Sequence, residues 1–173
     1  MSVVIDGSAG MTTAIGAVYN GIQSATAQAS TSGTSIDFTS IPSWVKRITV
    51  MLNGVSTNGT SHYLVQLGSG SIVTTGYVSA FGYLVSDVNA SSTTSTVGFG
   101  WWNGSAADTQ IGNYTLNLVS GNIWVGGIAG SSNSSPKFGG GNLTLGGTLD
   151  RVRITTVNGT DTFDAGSINI LYE

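Results

Sequence analysis

Short segments of alternating apolar and polar residues, separated by turn signals, are the feature that most restricts the fold of this chain. Asn-Gly pairs stand at 53–54, 58–59, 103–104 and 158–159, and such pairs favour tight turns between strands. The alternation predicts about nine short strands with no helical spacing between them. This pattern is typical of an antiparallel sandwich or barrel, so we predict an all-β, jelly-roll-like sandwich. The predicted strands cover residues 45–52, 63–67, 71–78, 80–88, 95–102, 112–119, 122–128, 148–157 and 166–172.

The same alternation predicts which side chains face the core, because successive residues of a strand point to opposite sides. Arg47, Arg151 and Arg153 fall at outward positions, where we expect them to pair with Asp150 or Asp87 on neighbouring strands. The inward positions are Ile48, Val50, Leu52, Val152, Ile154, Ile168, Ile170 and Tyr172.

The composition excludes several classes of partner and site. The 173 residues include 5 Lys plus Arg, 8 Asp plus Glu, 26 Gly and no Cys, with a formal net charge of −3. Five scattered cations do not form a phosphate-binding face, which argues against nucleic acid. Without cysteine there is no disulfide framework and no thiolate nucleophile. Exposed charge is also too sparse to protect many strands from edge pairing, so we expect edges covered by other subunits or by barrel closure. Three copies around an axis, as a homotrimer, would cover them.

The first 33 residues differ from the rest and form a predicted N-terminal arm, followed by a sandwich domain over residues 34–173. No charged residue occurs from Met11 to Gly33, and apolar residues near helical spacing predict a weak helix over Ala14–Ala27. The first residues lack a basic segment followed by a long apolar run, so we expect no signal peptide, and no window is long and apolar enough to insert into a membrane. The arm's candidate docking residues are Val3, Val4, Ile5, Ile15 and Val18.

Three segments resemble a module of tail-fibre and related virion proteins of tailed bacteriophages. They are MSVVIDGSAGMT at 1–12, GTSIDFTSIPSWVKRIT at 33–49 and LDRVRITTVNGTDTFDAGSINILYE at 149–173. The resemblance implies a trimeric β-structured protein on the virion surface, made in the host cytoplasm, with the arm attached to other virion proteins of the tail or capsid. The chain has no extended shaft, which makes a capsid-surface role a competitor to a tail-tip role.

Aromatic residues beside a predicted loop are the best sign of a binding site. Trp101 and Trp102 are adjacent in a predicted strand and therefore point to opposite faces, directly before Asn103. Tyr83 and Trp124 are further candidates. Aromatic rings with amide groups around them suit neutral glycans, which present both apolar faces and hydroxyls. The alternative is that these tryptophans anchor the core or a subunit interface.

Catalytic and metal sites find little support in the sequence. His62 is the only histidine, so a serine nucleophile has one possible base, and no Gly-x-Ser-x-Gly elbow precedes a helix. Asp161 and Asp164 could offer oxygens to Ca²⁺, but turn residues of this kind more often cap their own backbone. No spacing marks a pair of acidic residues for glycoside hydrolysis. The aspartates available for such a pair are Asp37, Asp87, Asp108, Asp150, Asp161 and Asp164.

These observations together predict a non-enzymatic virion protein of the tail-fibre or receptor-binding type, with no cofactor or metal. Its arm would attach to the particle and its sandwich would adhere to glycan on the host surface. A capsid-decorating or head-fibre protein docked on the major capsid protein is the alternative, and a small polysaccharide-degrading enzyme is a weaker one.

Overall fold

The structure, a computed structural model, describes residues 21–85 and 89–173 together with three short strands among the first twenty residues. The described chain is all-β and antiparallel, as predicted, and contains no helix. The strands are β1 (Val4–Asp6), β2 (Gly10–Thr12), β3 (Val18–Tyr19), β4 (Gln23–Ser24), β5 (Gln28–Ala29), β6 (Ser35–Thr39), β7 (Arg47–Thr57), β8 (Tyr63–Ser69), β9 (Ser71–Ile72), β10 (Val78–Val85), β11 (Asn89–Ser95), β12 (Phe99–Trp101), β13 (Gln110–Ser120), β14 (Ile123–Ser132), β15 (Pro136–Thr144), β16 (Arg151–Thr156) and β17 (Phe163–Tyr172).

Two antiparallel sheets make up the sandwich. The large sheet has the strand order β11-β10-β15-β14-β13-β7-β17-β4, with β5 also paired to β17. The small sheet has the order β12-β8-β16-β6, with β9 paired to β8. The strands β1, β2 and β3 pair with one another in a separate three-stranded sheet.

The main core lies between the two sheets and is filled from both. Ile48 and Val50 of the large sheet and Val152 and Ile154 of the small sheet are almost fully buried in one apolar cluster. The inward positions predicted from the alternation of β7, β16 and β17 are therefore confirmed, with Tyr172 partly buried at the margin of the cluster. At the same margin Trp44 packs near Tyr172, their ring centroids 6.0 Å apart.

Several sequence predictions are wrong in detail. The described part of Ala14–Ala27 is extended, because its polar backbone groups pair with β17 through β4 and do not close helical turns. The pair Asn53-Gly54 does not reverse the chain, since Gly54 adopts a φ of 64° inside β7, where the register of both neighbouring strands shifts. It forms a β-bulge, which a left-handed glycine permits.

Two strands of seven or more residues, β11 and β15, escaped prediction because their residues lack apolar alternation. β11 consists of Asn, Ala, Ser and Thr, and β15 contains three consecutive glycines. The glycines of β15 and its neighbour β14 are required by packing: a Cβ at Gly139 would meet the side chain of Phe81, and one at Gly130 would overlap the indole of Trp101. Strand formation here depends on aromatic residues brought in from elsewhere in the chain.

The two ends of the sandwich carry different loops. At the first end, Asn103 donates to the carbonyls of Gly59 and Ser61, at 3.2 and 3.4 Å, and Asn133 donates to that of Ala107 at 3.3 Å. We call this the Asn103 end. The opposite end contains Trp124 and the turns 42–46, 120–122 and 145–149, and we call it the Trp124 end.

Candidate aromatic binding site

Four aromatic side chains meet at the Asn103 end and form what we call the aromatic cluster: His62, Phe81, Tyr83 and Trp102. The ring of Trp102 lies 4.4 Å from that of His62 and 4.7 Å from that of Tyr83, centroid to centroid. Phe81 meets His62 edge to face at 5.3 Å. Phe81 is buried, whereas the other three rings are partly exposed. The cluster therefore presents a continuous aromatic edge to solvent.

Strand alternation explains how the cluster forms outside the main core. Phe81 and Tyr83 are two residues apart on β10 and share one face. Gly100 of β12 points away from the main core, which its neighbours Phe99 and Trp101 join, and a Cβ at Gly100 would overlap the ring of Phe81. Phe81 therefore packs on the side of β12 opposite to the main core. A glycine in the middle of β12 lets the large sheet approach this closely.

Asn103 connects the cluster to the interior. Its backbone N–H and carbonyl lie 3.1 and 2.7 Å from Nδ1 of His62, so that nitrogen bonds to Asn103 in either neutral tautomer. Gln110 donates to Oδ1 of Asn103 at 3.2 Å, and the indole N–H of Trp101 donates to Gln110 at 2.9 Å. Asn103 and Gln110 are both buried. This network fixes the loop that carries Trp102.

The charge state of His62 follows from its surroundings. Burial lowers the pKa of His62 below its ordinary value of 6.5, the hydrogen bond with Asn103 opposes this shift, and the positive charge of Lys137 adds to it. The neutral ring is therefore favoured near pH 7. Since Nδ1 is engaged by Asn103, Nε2 is the nitrogen that faces other partners.

Lys137 lies directly opposite Tyr83 in the β10–β15 ladder. Its Nζ is 5.0 Å from the centroid of the Tyr83 ring and donates to Oγ of Ser135 at 2.8 Å. Only 4% of Lys137 is exposed, and within the described residues no carboxylate lies within ion-pair distance of it. Burial lowers the pKa of Lys137, and the charge of Asp108 partly offsets that effect. The cation–π contact stabilises the position of the Tyr83 ring.

The structure separates the expected binding residues into two groups. Tyr83, Trp102 and Asn103 come together at the Asn103 end. Trp101 is 1% exposed on the core side of β12, and Trp124 is 2% exposed at the opposite end of the sandwich. Neither of these two tryptophans presents a surface to a ligand, which corrects the expected set. The reason is that their strand positions face the other sheet.

Sequence reasoning gave His62 and Lys137 no binding role. Both lie far along the chain from Tyr83 and Trp102, and no spacing in the sequence links them. Of the candidate arm residues, Val4 and Ile5 lie in β1 and Val18 in β3, whereas Val3 and Ile15 fall outside the described residues.

The two candidate calcium ligands, Asp161 and Asp164, are engaged in hydrogen bonds. Asp161 accepts from Asn158 at 2.6 Å and from the N–H of Ser61 at 3.0 Å, and Asp164 accepts from Ser56. In the part of the chain that the structure describes, no group of three or more His or acidic residues has the arrangement of a metal site. The same part has no helix of the length and hydropathy needed to cross a membrane.

Comparison with known proteins adds no further constraint. No protein-family profile, curated protein or solved structure matches this chain. The chemistry and geometry of its own residues are therefore the basis for a functional assignment.

Proposed function

We propose that this chain is a non-enzymatic adhesion protein that binds glycan through the aromatic cluster at the Asn103 end. The supporting observation is that Trp102 and Tyr83 are partly exposed and held side by side, 4.7 Å apart, at a loop-lined end of a rigid sandwich. Adjacent aromatic rings provide an apolar surface for the C–H faces of sugars. Nε2 of His62 is available to a sugar hydroxyl at the same place.

Preorganisation favours such a site. The buried network from Trp101 through Gln110 to Asn103 holds the loop, and Lys137 holds Tyr83 from the other side. A ligand therefore meets rings that are already ordered, which lowers the entropy lost on binding. Single sites of this size bind weakly, so repeated display on one particle would raise the overall avidity.

We further propose that this adhesion takes place on a phage virion, in a tail-fibre or receptor-binding role. The resemblance of residues 1–12, 33–49 and 149–173 to phage fibre modules supports this proposal. Residues 23–29 pair with β17 and belong to the large sheet, which leaves residues 1–20 as the segment for attachment to the particle. Docking of that segment on the major capsid protein is the alternative.

The glycan proposal is tested with purified host-surface polysaccharide and three full-length proteins. We expect Trp102→Ala to reduce binding by about tenfold or more, or about 1.4 kcal/mol. Trp44→Ala is the matched control, since Trp44 is also partly exposed but lies near Tyr172, away from the cluster. Equal binding by Trp102→Ala and the unmodified protein would contradict the proposal. Release of reducing ends from the polysaccharide would instead indicate an enzyme.

The location on the virion is tested by immunogold electron microscopy of the parent particles, with antibody raised against residues 34–173. Label at the tail or its tip is the expected result. Label over the head would replace the tail-fibre proposal by capsid decoration and would direct attention to residues 1–20.

A further inference from the structure

The outward face of the large sheet has an unusual distribution of side chains. Of the eight large hydrophobic residues that are most exposed in the described chain, six lie in β10, β13, β14 and β15. Val78 is 67% exposed and Phe138 39%, and both lie at positions where alternation directs the side chain away from the core. The six residues are Val78, Leu84, Ile111, Val119, Ile123 and Phe138.

Charge is missing from the same face. At every outward position of the described parts of β10, β13, β14 and β15 the residue is apolar, small or neutral. Among the described residues of this face, ionisable side chains occur only at the margin toward β17, where Arg47 pairs with Glu173 and Asp164 accepts from Ser56. A solvated sheet face normally carries charged residues. This face has the composition of an interface core, from which charge is depleted.

The pattern of small and bulky side chains on this face suits packing against a second sheet. The ladder pairings place Ala80, Gly140, Gly127 and Thr115 in one row across four neighbouring strands. A row of small residues between bulkier ones lets another sheet approach to about 10 Å, the ordinary distance between packed sheets.

The extent of the face is sufficient for a stable interface. Seven strands from β11 to β17 span about 29 Å at about 4.8 Å per strand, and eight residues span about 26 Å along a strand. The product is about 750 Å², close to the 800 Å² or so that each partner of a standard interface buries. The five strands from β11 to β13, which carry no ionisable outward residue in the described chain, make up about 500 Å² of this area. The strands β7 and β17, with Arg47, Asp164 and Glu173, then form a charged rim, as interfaces commonly have.

We propose that copies of this chain associate through the outward faces of their large sheets. A second copy is the partner that fits best, because in a self-contact each charge near the symmetry axis would meet its own like charge. A central region without ionisable residues avoids that repulsion and buries no unpaired charge. The chain's net charge of −3 is then carried on surfaces that stay in solvent. The aromatic cluster lies on the inward side of β10, so association leaves it accessible.

The test compares the association of full-length proteins by sedimentation velocity over a range of concentrations. We expect the unmodified protein to form an oligomer and Ala129→Lys, in the middle of the face, to weaken association by about tenfold or more. Thr39→Lys is the matched control, since Thr39 is an exposed position on the outward face of the small sheet. A protein that stays monomeric at high concentration overturns the proposal, as does an Ala129→Lys protein that associates normally.

A second measurement separates loss of association from loss of folding and identifies the contact directly. Because the sequence contains no cysteine, Ala129→Cys and Thr39→Cys each introduce a single site for a spin label. We expect intermolecular dipolar coupling for the label at 129 and none for the label at 39. The opposite pattern would place the interface on the small sheet and refute the inference.

Discussion

The two sheets differ less in their inward faces than in their outward ones. Both contribute large side chains to the main core, such as Val152 and Ile154 from the small sheet and Tyr114 and Leu116 from the large sheet. The large sheet also has glycines at inward positions where aromatic rings pack, as Gly130 does against Trp101. Their outward faces differ in charge: the small sheet carries the Arg153–Asp37 ion pair across its middle, whereas the ionisable residues described on the large sheet lie only at its β17 margin. The difference between the outward faces is one of charge and composition, which the alternation of the strands does not show.

Removal of volume from the small sheet should have the largest effect. Ile154 is 1% exposed and packs in the main core, so Ile154→Ala leaves a cavity. We expect the free energy of unfolding to fall by about 3–4 kcal/mol, measured by urea denaturation. Thr39→Ala, at an exposed position of the neighbouring strand, is the control and should change it by less than about 0.5 kcal/mol.

Addition of volume to the large sheet should have the next largest effect. Gly130→Ala places a Cβ against the indole of Trp101 and should lower the free energy of unfolding by about 2–3 kcal/mol. Gly127→Ala, on the outward side of the same strand, should stay within about 1 kcal/mol of the unmodified protein. If both substitutions have the same small effect, packing against Trp101 does not require glycine at position 130.

Lys137, on the inward side of the large sheet, should lower the pKa of His62 in the aromatic cluster. We expect an NMR titration of His62 to give a pKa below 6.5, and Lys137→Gln to raise it by removing a nearby positive charge. Between the folded-state pKa and 6.5 the unfolded chain binds more protons, so the free energy of unfolding should decrease as pH falls through this window. Lys46→Gln alters an exposed lysine and should leave the pKa unchanged. If the pKa of His62 is the same in Lys137→Gln as in the unmodified protein, the charge of Lys137 has no effect on the aromatic cluster.

The ion pairs on the outward face of the small sheet should contribute least. Arg153 faces Asp37 across the β16–β6 ladder and binds it through two contacts of 2.7 Å, which raise the pKa of Arg153. Both side chains are more than a third exposed. We therefore expect Arg153→Gln to lower the free energy of unfolding by less than about 1 kcal/mol. A larger decrease in the free energy of unfolding, measured in the same urea experiment, would mean that the ion pair contributes substantially to the stability of this sheet and does not only keep its face soluble.

The predictions about strands were most accurate where one face alternates strictly. In β7, β16 and β17, branched apolar residues alternate with polar ones, and the period of two alone sets their inward sides. Alternation did not predict β15, because its three consecutive glycines show none. The Asn53-Gly54 pair predicted a turn but forms a bulge, because a left-handed glycine suits either structure.

The sequence by itself determined an all-β antiparallel fold, the inward positions of its regular strands and a surface poor in charge. Only the tertiary structure decided that Trp101 is buried and Trp102 partly exposed, and that Trp102 meets His62, Tyr83 and Lys137. Alternation assigns two adjacent residues to opposite sides of a strand, but the packing of the other sheet decides which side is the core. Contacts between residues so far apart in the chain depend on sheet order and curvature, which no local pattern encodes.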